Sequence, residues 1–473
     1  MDNNIADYAL MCVAAYRDKR DPTNQVFPAT VWEALPGSLG HLPTDSSGFE
    51  AVAYRNAQTN EIVIAYTGTD ELKDWWTNVG GVSALWATDQ MKSAARFYAE
   101  VCRANPEANI TLTGHSLGGG LAGLMAVLFN RSAYTFDPAP FRASANDDTL
   151  SLIREDLANH GLLDGEVGAR ITTALDGFFS ELPSSQNPPS PGTGIRGENR
   201  VHRMLVQNEA VSRWAPDNFI GTLEPRILGH ASLDQSSIDL HSMSLEAAMV
   251  AAPGFWDAAK KLANLLPVIF DDRLFKKNPT QPTPTLLDHL LRNQGGVLGP
   301  NTGDVTDSAK QKMLSHFAAD LAKVVAAGGV AVTDDNLNRA LLAFLGRAYL
   351  KQDRGFEKEL FKGVGGGLNF DTGDVSSDIS ADPGYETYLK TYLEQKLGTD
   401  LFGQFQTLIL QTRDWYLAST ALTATASTQR AFMLGGASAD SLTGGTQDDL
   451  LVGLGGADRL EGGSGSDTYV FGA

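Results

Sequence analysis

Hydrophobic and polar residues form two different patterns in the first half of the chain. The runs EIVIAYTG (61–68) and ITLTG (110–114) are typical of buried strands, whereas QMKSAARFYAEVCRA (90–104) repeats its apolar residues at helical spacing. The strand pattern recurs in GFEAVAYRN (48–56), AYTF (133–136) and VHRMLV (201–206). Strands that alternate with helices predict an α/β fold, in which helices cover both faces of a parallel sheet.

Beyond residue 250 the periodicity becomes mainly helical. Three segments repeat apolar residues every three to four positions: SAKQKMLSHFAADLAKVVAA (308–327), NLNRALLAFLGRAYL (336–350) and YETYLKTYLEQKL (385–397). From residue 435 the composition changes again, because eleven of the last 39 residues are glycine. We therefore divide the chain into an α/β domain at 1–250, a mainly helical region at 251–434 and a glycine-rich tail at 435–473.

A long insertion interrupts the α/β pattern at about residues 141–200. It combines helical stretches between 148 and 182 with the loop-forming segment PSSQNPPSPGTG (183–194). Such an insertion forms either a cap over a site or an ordinary surface segment, and the sequence favours neither.

Composition excludes several classes of protein. The 473 residues carry a formal net charge of −19 without a dense lysine and arginine run, so we expect no nucleic-acid partner. No stretch reaches the roughly 18 apolar residues of a membrane-spanning helix. The start, MDNNIADYALMCVAAYRDK, lacks the basic region of a secretion signal and predicts an amphipathic helix.

The segment Thr113–Gly119 contains the pattern G-x-S-x-G with Ser116 at its centre. A strand-like run precedes it and a helix rich in glycine and alanine follows. A nucleophilic serine on a sharp strand-to-helix turn needs small neighbours such as Gly114 and Gly118, because the turn is crowded. The sequence therefore predicts Ser116 as the nucleophile of an α/β-hydrolase domain.

A serine hydroxyl becomes a good nucleophile only beside a histidine base and an acid that orients the histidine. In this fold the acid and the histidine follow the serine along the chain. His241, at a loop-to-helix transition, is the preferred base, and His230 is the second choice. Glu209, which follows VHRMLV, is the preferred acid, and Asp137, directly after AYTF, is the alternative.

Two backbone N–H groups must meet the oxyanion that forms on the substrate carbonyl. One comes from Leu117, the residue after the nucleophile. The other should come from the turn after EIVIAY, where Thr69 is the candidate.

These segments resemble the class 3, or fungal-type, lipases over roughly residues 1–250. IVIAYTGTDELKDWW is similar to the family's oxyanion strand and turn, TLTGHSLGGGLAGLMA to its elbow, and RVHRMLVQNEAVSRWAP to the stretch with its catalytic aspartate. The resemblance implies Ser116 as nucleophile, Glu209 as acid, and Thr69 and Leu117 as oxyanion donors. Two departures are the glutamate at the acid position and FDPAP, which resembles the acid-bearing Asp-Pro-Ala of pancreatic-type lipases and keeps Asp137 open.

The tail consists of four consecutive nonapeptides, GGASADSLT, GGTQDDLLV, GLGGADRLE and GGSGSDTYV (435–470). Each has a large apolar residue at its eighth position and an aspartate at its sixth: Asp440, Asp449, Asp458 and Asp467. This pattern predicts a parallel β-roll in which aspartates supply hard oxygen ligands for Ca²⁺ and apolar residues fill the interior. We expect Ca²⁺ to be structural and the chemistry to need no cofactor.

The tail resembles RTX repeats, which accompany type I secretion from Gram-negative bacteria. The resemblance implies an extracellular protein that this machinery exports. Together these features predict a secreted carboxylic ester hydrolase that acts on lipids at a lipid–water interface, either a triacylglycerol lipase or a phospholipase A1-like enzyme. Two alternatives stay open: a phospholipase effector aimed at membranes, and a non-enzymatic RTX adhesin or surface module on an inactive hydrolase scaffold.

Overall fold

The computed structural model describes residues 5–16, 31–68, 84–181, 194–211, 218–224, 237–275, 286–292, 313–351, 359–374, 379–426 and 428–472. These residues form two compact units, and the boundary between them falls between residues 251 and 252. The first unit is built around one sheet, and the second combines helices with a β-roll.

A seven-stranded sheet forms the centre of the first unit. Its strands are Trp32–Ala34 (β1), Ala51–Asn56 (β2), Ile62–Tyr66 (β3), Ile110–His115 (β4), Ser132–Phe136 (β5), Val201–Met204 (β6) and Thr222–Leu223 (β7). They lie side by side in chain order. The β1–β2 and β2–β3 pairs are antiparallel, and β3 to β7 pair in parallel, which confirms the predicted α/β class.

Helices cover both faces of this sheet. They are Ile5–Ala15 (α1), Ala84–Ala104 (α2), Leu117–Phe129 (α3), Asp147–Asn159 (α4), Gly165–Ser180 (α5), Ser237–Leu240 (α6) and Met243–Ala251 (α7). Successive side chains of a strand point to opposite faces. Leu112 of β4 accordingly packs in the core with α2 and α3, whereas the neighbouring Thr113 hydroxyl lies 3.1 Å from the Cys12 thiol of α1.

The insertion contributes α4 and α5. The Asn146 side chain caps α4 by accepting a hydrogen bond from the Thr149 N–H, which satisfies one of the free donors at the helix start. Leu150, Ile153 and Leu157 of α4 are buried in the core cluster. The helix α4 packs against α2, and α5 packs against both α2 and α3. The described part of the insertion is therefore a packed layer of the domain.

The second unit begins with helices. They are Pro253–Ala259 (α8), Leu265–Ile269 (α9), Asp272–Phe275 (α10), Leu286–Leu291 (α11), Met313–Ala327 (α12), Val330–Thr333 (α13), Asp335–Lys351 (α14), Lys390–Leu397 (α15) and Thr399–Gln411 (α16). A π-helical turn, Tyr385–Leu389, precedes α15. Among the described residues, no helix combines the length and hydropathy needed to cross a membrane.

The second unit ends in a β-roll. Its strands are Lys362–Asp371 (β8), Asp414–Thr425 (β9), Ala431–Leu434 (β10), Ser441–Thr443 (β11), Leu450–Leu454 (β12), Arg459–Glu461 (β13) and Thr468–Phe471 (β14). One face of the roll is β10-β12-β14 and the other is β11-β13, all parallel. The long strand β9 pairs with β10 through its first half, with β11 through its second half, and antiparallel with β8.

The roll confirms the parallel β-roll expected from the nonapeptides. Leu442 and Leu451, from the eighth position of the first two repeats, are fully buried between the faces, whereas Tyr469 of the fourth repeat is 42% exposed. The strands β8, β9 and β10 lie before residue 435, in the region for which the sequence predicts mainly helices. The run DWYLASTALTAT of β9 is rich in aromatic residues and threonine, which favour strands.

Candidate active site

Ser116 occupies a strained turn between β4 and α3. Its backbone angles are φ 55° and ψ −125°, in a region that residues with a side chain rarely adopt. The turn is held because the Ser116 N–H donates to the carbonyl of Phe136 at the end of β5. A serine forced into this conformation directly after a buried parallel strand is the geometry of a nucleophile elbow.

The glycines around Ser116 allow the elbow to form. A Cβ added at Gly114 would collide with the backbone of Gly118, and one added at Gly118 would collide with the carbonyl of Tyr66 in β3. Gly68, which follows β3, lies so close that an added Cβ would be 3.1 Å from Cβ of Ser116. The turn after β3 therefore reaches the nucleophile, as the sequence analysis expects of an oxyanion turn.

The structure brings together His241 and Glu209. Nδ1 of His241 lies 2.7 Å from Oε2 of Glu209, and both side chains are fully buried. The same carboxylate oxygen accepts the Val211 N–H at 2.6 Å, which fixes its position. Nε2 of His241 is buried and, among the described residues, has no hydrogen-bond partner. This pairing makes Nδ1 the donor and leaves Nε2 as the basic nitrogen.

Asp137, the alternative acid, also lies beside His241. Its Oδ2 is 3.8 Å from Nδ1 of His241, and its Oδ1 accepts the Val206 N–H at 2.8 Å. Asp137 is fully buried and has a positive φ of 37°. The two acids follow the neighbouring parallel strands β5 and β6, so their side chains meet at one edge of the sheet.

A third buried carboxyl, Glu246 of α7, belongs to this acid cluster. Neither of its side-chain oxygens has a hydrogen-bond partner within the described part of the chain. Burial raises the pKa of Glu246 well above its usual range, and the charge of Glu209 raises it further. The pKa of Asp137 is also raised well above its usual range, first by burial and then by Glu246 and Glu209. Burial therefore favours the protonated forms of Asp137 and Glu246.

Tyr16 and His115 form a network that the sequence analysis did not anticipate. Nε2 of His115 lies 3.0 Å from the carbonyl oxygen of His241, so this nitrogen must be the donor. Nδ1 of His115 then accepts the hydroxyl proton of Tyr16 at 2.8 Å, and the Tyr16 oxygen accepts the Gly68 N–H at 3.1 Å. The network connects the turn after β3 to the backbone of the candidate base.

The available sequence signals for this network were weak. His115 is the x before the serine in G-x-S-x-G, and Tyr16 ends the apolar face of the N-terminal helix. One potential ligand atom each from His115, Asp137 and His241 lies within 4.8 Å of the others. Since both nitrogens of His115 are engaged with Tyr16 and His241, the cluster is organised as a hydrogen-bond network.

The predicted oxyanion donors are described only in part. Leu117 is the first residue of α3 and is buried, and N–H groups in a first helical turn have no partner within the helix. Thr69 lies outside the described residues, and so does His230, the second-choice base.

The four repeat aspartates form two rows in the roll. Asp440 and Asp458 follow one another along one row, and Asp449 and Asp467 along the other: Oδ1 of Asp458 accepts the Asp440 N–H, and Oδ1 of Asp467 accepts the Asp449 N–H. Burial raises the pKa of Asp440 and of Asp449, and the next carboxylate along each row raises it further. A divalent cation would relieve this crowding of negative charge.

The first glycine of each repeat makes room for the carboxylate. A Cβ added at any of Gly435, Gly444, Gly453 and Gly462 would collide with the aspartate side chain of the same repeat. Carboxylate oxygens are the hard ligands that Ca²⁺ prefers. The residues present therefore fit calcium, which Asp440 and Asp458 would hold in one row and Asp449 and Asp467 in the other.

Two parts of the chain match known protein families. Residues 7–177 match the profile of a family described as a Tle-like phospholipase domain, and residues 434–469 match four copies of the RTX calcium-binding nonapeptide repeat. The resemblance to lipid hydrolases, the α/β-hydrolase fold and the structural calcium of the repeats are thereby confirmed.

A curated relative matches a shorter part of the chain. The extracellular phospholipase A1 of Serratia liquefaciens is 34% identical over 112 residues, which are 24% of this chain and 33% of that protein. The chain thus spans about a third of the length of this relative.

Solved lipases are similar at lower identity. The Rhizomucor miehei lipase–propeptide complex shows 13% identity and a TM-score of 0.28, covering 46% of this chain and 65% of that one. The Lip2 lipase of Yarrowia lipolytica shows 15% identity and a TM-score of 0.27, covering 46% and 75%.

Proposed function

We propose that the chain is a serine-dependent carboxylic ester hydrolase that acts on lipids. The observation that carries the proposal is the buried His241–Glu209 hydrogen bond of 2.7 Å, which leaves Nε2 of His241 as a free base in the domain whose elbow presents Ser116. The phospholipase-like profile at 7–177 favours phospholipids, cleaved as a phospholipase A1 does, over triacylglycerols.

The proposed reaction begins with Ser116. His241 Nε2 removes the hydroxyl proton as the serine oxygen attacks the acyl carbonyl, and Glu209 stabilises the resulting imidazolium through Nδ1. The imidazolium then donates its proton to the leaving alcohol. Water, deprotonated in turn by Nε2, attacks the acyl-enzyme. The imidazolium returns this proton to the Ser116 oxygen as the fatty acid leaves.

The oxyanion of each tetrahedral intermediate needs backbone donors. We assign these donors to the N–H groups of Leu117 and Thr69. Gly68, which precedes Thr69 in the chain, lies close to Ser116. Loss of one such donor typically lowers kcat by about 10²–10³-fold. The Tyr16–His115 network positions the Gly68 turn and the His241 backbone relative to each other.

We further propose that the protein works outside the cell. The calcium-binding repeats and the similarity to an extracellular phospholipase support secretion, and type I export is the route we assign to it. In this proposal residues 1–250 are the hydrolase, 251–434 the mainly helical region and 435–473 the roll. Ca²⁺ supplies charge neutralisation to the roll and takes no part in ester cleavage.

The test compares wild type with Ser116→Ala on p-nitrophenyl esters and on phospholipid vesicles with millimolar calcium. We expect the variant to lose at least about 10⁴-fold in kcat, because the remaining groups cannot replace the nucleophile. Analysis of the products by mass spectrometry decides whether the sn-1 ester of the phospholipid is cut. Equal and negligible hydrolysis by both proteins would favour a non-enzymatic surface module on an inactive scaffold.

A further inference from the structure

Two carboxyls approach the same nitrogen of His241 from different strand ends. Glu209, which follows β6, is at 2.7 Å, and Asp137, which follows β5, is at 3.8 Å. A triad needs only one acid at this nitrogen. The second acid is a feature that the proposed function does not use.

Two hydrogen bonds hold Asp137 in place beside His241. Its N–H donates to the carbonyl of Met204 and its Oδ1 accepts the Val206 N–H, so the residue is tied to the β6 segment at both ends. Its other oxygen, Oδ2, is buried and has no hydrogen-bond partner among the described residues. This is also the oxygen that lies 3.8 Å from Nδ1 of His241.

On the basis of the proposed function, we propose that Asp137 is a second orienting acid, which takes over the Nδ1 hydrogen bond of His241 when Glu209 is removed. The movement required is about 1 Å, the difference between 3.8 Å and an ordinary hydrogen bond. Rotation of the Asp137 carboxyl about its last bond supplies part of this movement, while Oδ1 remains near Val206.

The charges around Asp137 support this exchange. The groups that face it are Glu209 after β6, Glu246 of α7, His241, and His115 at the end of β4; Cys12 of α1 lies near Glu246. Because the Glu209 charge is one of the causes that raise the pKa of Asp137, its removal lowers that pKa. A lower pKa favours the carboxylate form of Asp137, which is the form that accepts the Nδ1–H of His241.

A merely structural role makes a different prediction. If Asp137 only pins the Val206 segment, Glu209→Gln alone removes the orienting acid and costs the typical factor of about 10⁴. If Asp137 replaces Glu209, the single variants lose much less than the double variant. The two roles are therefore separated by a double-mutant cycle.

The experiment measures kcat/KM on a soluble p-nitrophenyl ester for Glu209→Gln, Asp137→Asn and the double variant. We expect a loss within about tenfold for each single variant and about 10⁴-fold for the double variant. Glu107→Gln is the matched control, since it makes the same change of side chain at a largely exposed glutamate of the same unit, and it should stay near wild type.

Proton NMR supplies a readout that does not depend on activity. The Nδ1 proton of a histidine hydrogen-bonded to a carboxylate resonates far downfield, and this signal of His241 should persist in Glu209→Gln and vanish in the double variant. Loss of signal and of activity in Glu209→Gln alone, to the level of the double variant, would overturn the role of Asp137. If wild type is inactive but the signal of His241 persists in Glu209→Gln, the ester hydrolase function is contradicted and the role of Asp137 is supported.

Discussion

The active-site cluster and the β-roll both place carboxyl groups close together, but they handle the charge differently. In the cluster, Glu209 pairs with an imidazole, while burial favours the protonated forms of Asp137 and Glu246. In the roll, Asp440 and Asp449 accept backbone N–H groups and stand in rows that suit a divalent cation. The first arrangement suits proton transfer, whereas the second suits a bound cation.

The two regions also assemble their carboxyls by different routes. The roll repeats one residue type every nine positions, so neighbours in a row are 18 residues apart by construction. The cluster collects residues from two strand ends and a helix, at positions 137, 209 and 246. A local repeat therefore generates the rows of carboxylates in the roll, and long-range topology generates the cluster of acids at His241.

Asp449→Ala should show the largest difference between the two regions, because it should weaken calcium binding by the roll and leave ester hydrolysis unchanged. We expect calcium affinity of the roll to fall at least about tenfold, because a hard ligand is lost from its row. In wild type the affinity should also fall as the pH is lowered, since the raised pKa of Asp449 lets protons compete earlier than at an ordinary aspartate. Calcium titration by calorimetry at several pH values measures both effects.

The neighbouring Asp448→Ala is the control for this substitution, because Asp448 is an exposed aspartate at the fifth position of the same repeat. Hydrolysis of a soluble ester at saturating calcium should be unchanged in both variants. Loss of this hydrolysis in Asp449→Ala alone would contradict the view that calcium takes no part in the chemistry.

A pair of glycine-to-alanine substitutions compares the space around a glycine of the elbow with the space around a glycine on an exposed helix surface. Gly114→Ala should destabilise the protein by about 1–3 kcal/mol, because the added methyl group meets the backbone of Gly118. Gly403→Ala, in the interior of α16, should stabilise it by up to about 1 kcal/mol, since nothing lies within 4 Å of the added Cβ. Urea unfolding curves report both values, and two changes of the same sign would refute the packing argument.

Glu246→Gln tests how the cluster holds its protons. At pH 4 the carboxyl is protonated in the folded chain and mostly protonated in the unfolded chain. As the pH rises, the unfolded chain ionises while buried Glu246 remains protonated, so wild type loses stability until its raised folded pKa is reached. Glutamine has no such dependence.

The stability of the Glu246→Gln variant relative to wild type should therefore increase from pH 4 to pH 7. The gain is about 1.4 kcal/mol for each unit by which folding raises the pKa. Free energies of unfolding in urea at the two pH values provide the measurement. An identical difference at pH 4 and pH 7 would mean that Glu246 is ionised in the folded protein.

The repeated and the strongly periodic parts of the molecule could be predicted from the sequence. The β4–Ser116–α3 turn followed from an apolar strand, a G-x-S-x-G pattern and a helix rich in small residues. The roll followed from its nine-residue period. In both cases the signal lies within about 20 consecutive residues, so no long-range contact has to be known.

The parts that depend on tertiary contacts were not accessible in the same way. Nothing in the sequence places Tyr16 beside His115, or Glu246 beside Asp137, because each pair is about 100 residues apart and meets only after the sheet has formed. The sequence analysis treated Glu209 and Asp137 as alternatives, whereas the structure puts both within 4 Å of the His241 ring nitrogen. The strands β8 to β10 could not be predicted for a related reason, because they form by pairing with one another and with the roll.

The pairing of β9 and β10 with the roll has a consequence for how the tail acquires its shape. Oδ1 of Asp440 and of Asp449 accept the N–H groups of Leu422 and Ala431, which precede the glycine-rich repeats and carry no acidic ligand themselves. Because β11 pairs with β9 and β12 pairs with β10, the first two repeats have strand partners outside the glycine-rich tail. Removal of β9 and β10 would therefore leave the starting edge of both faces of the roll unpaired.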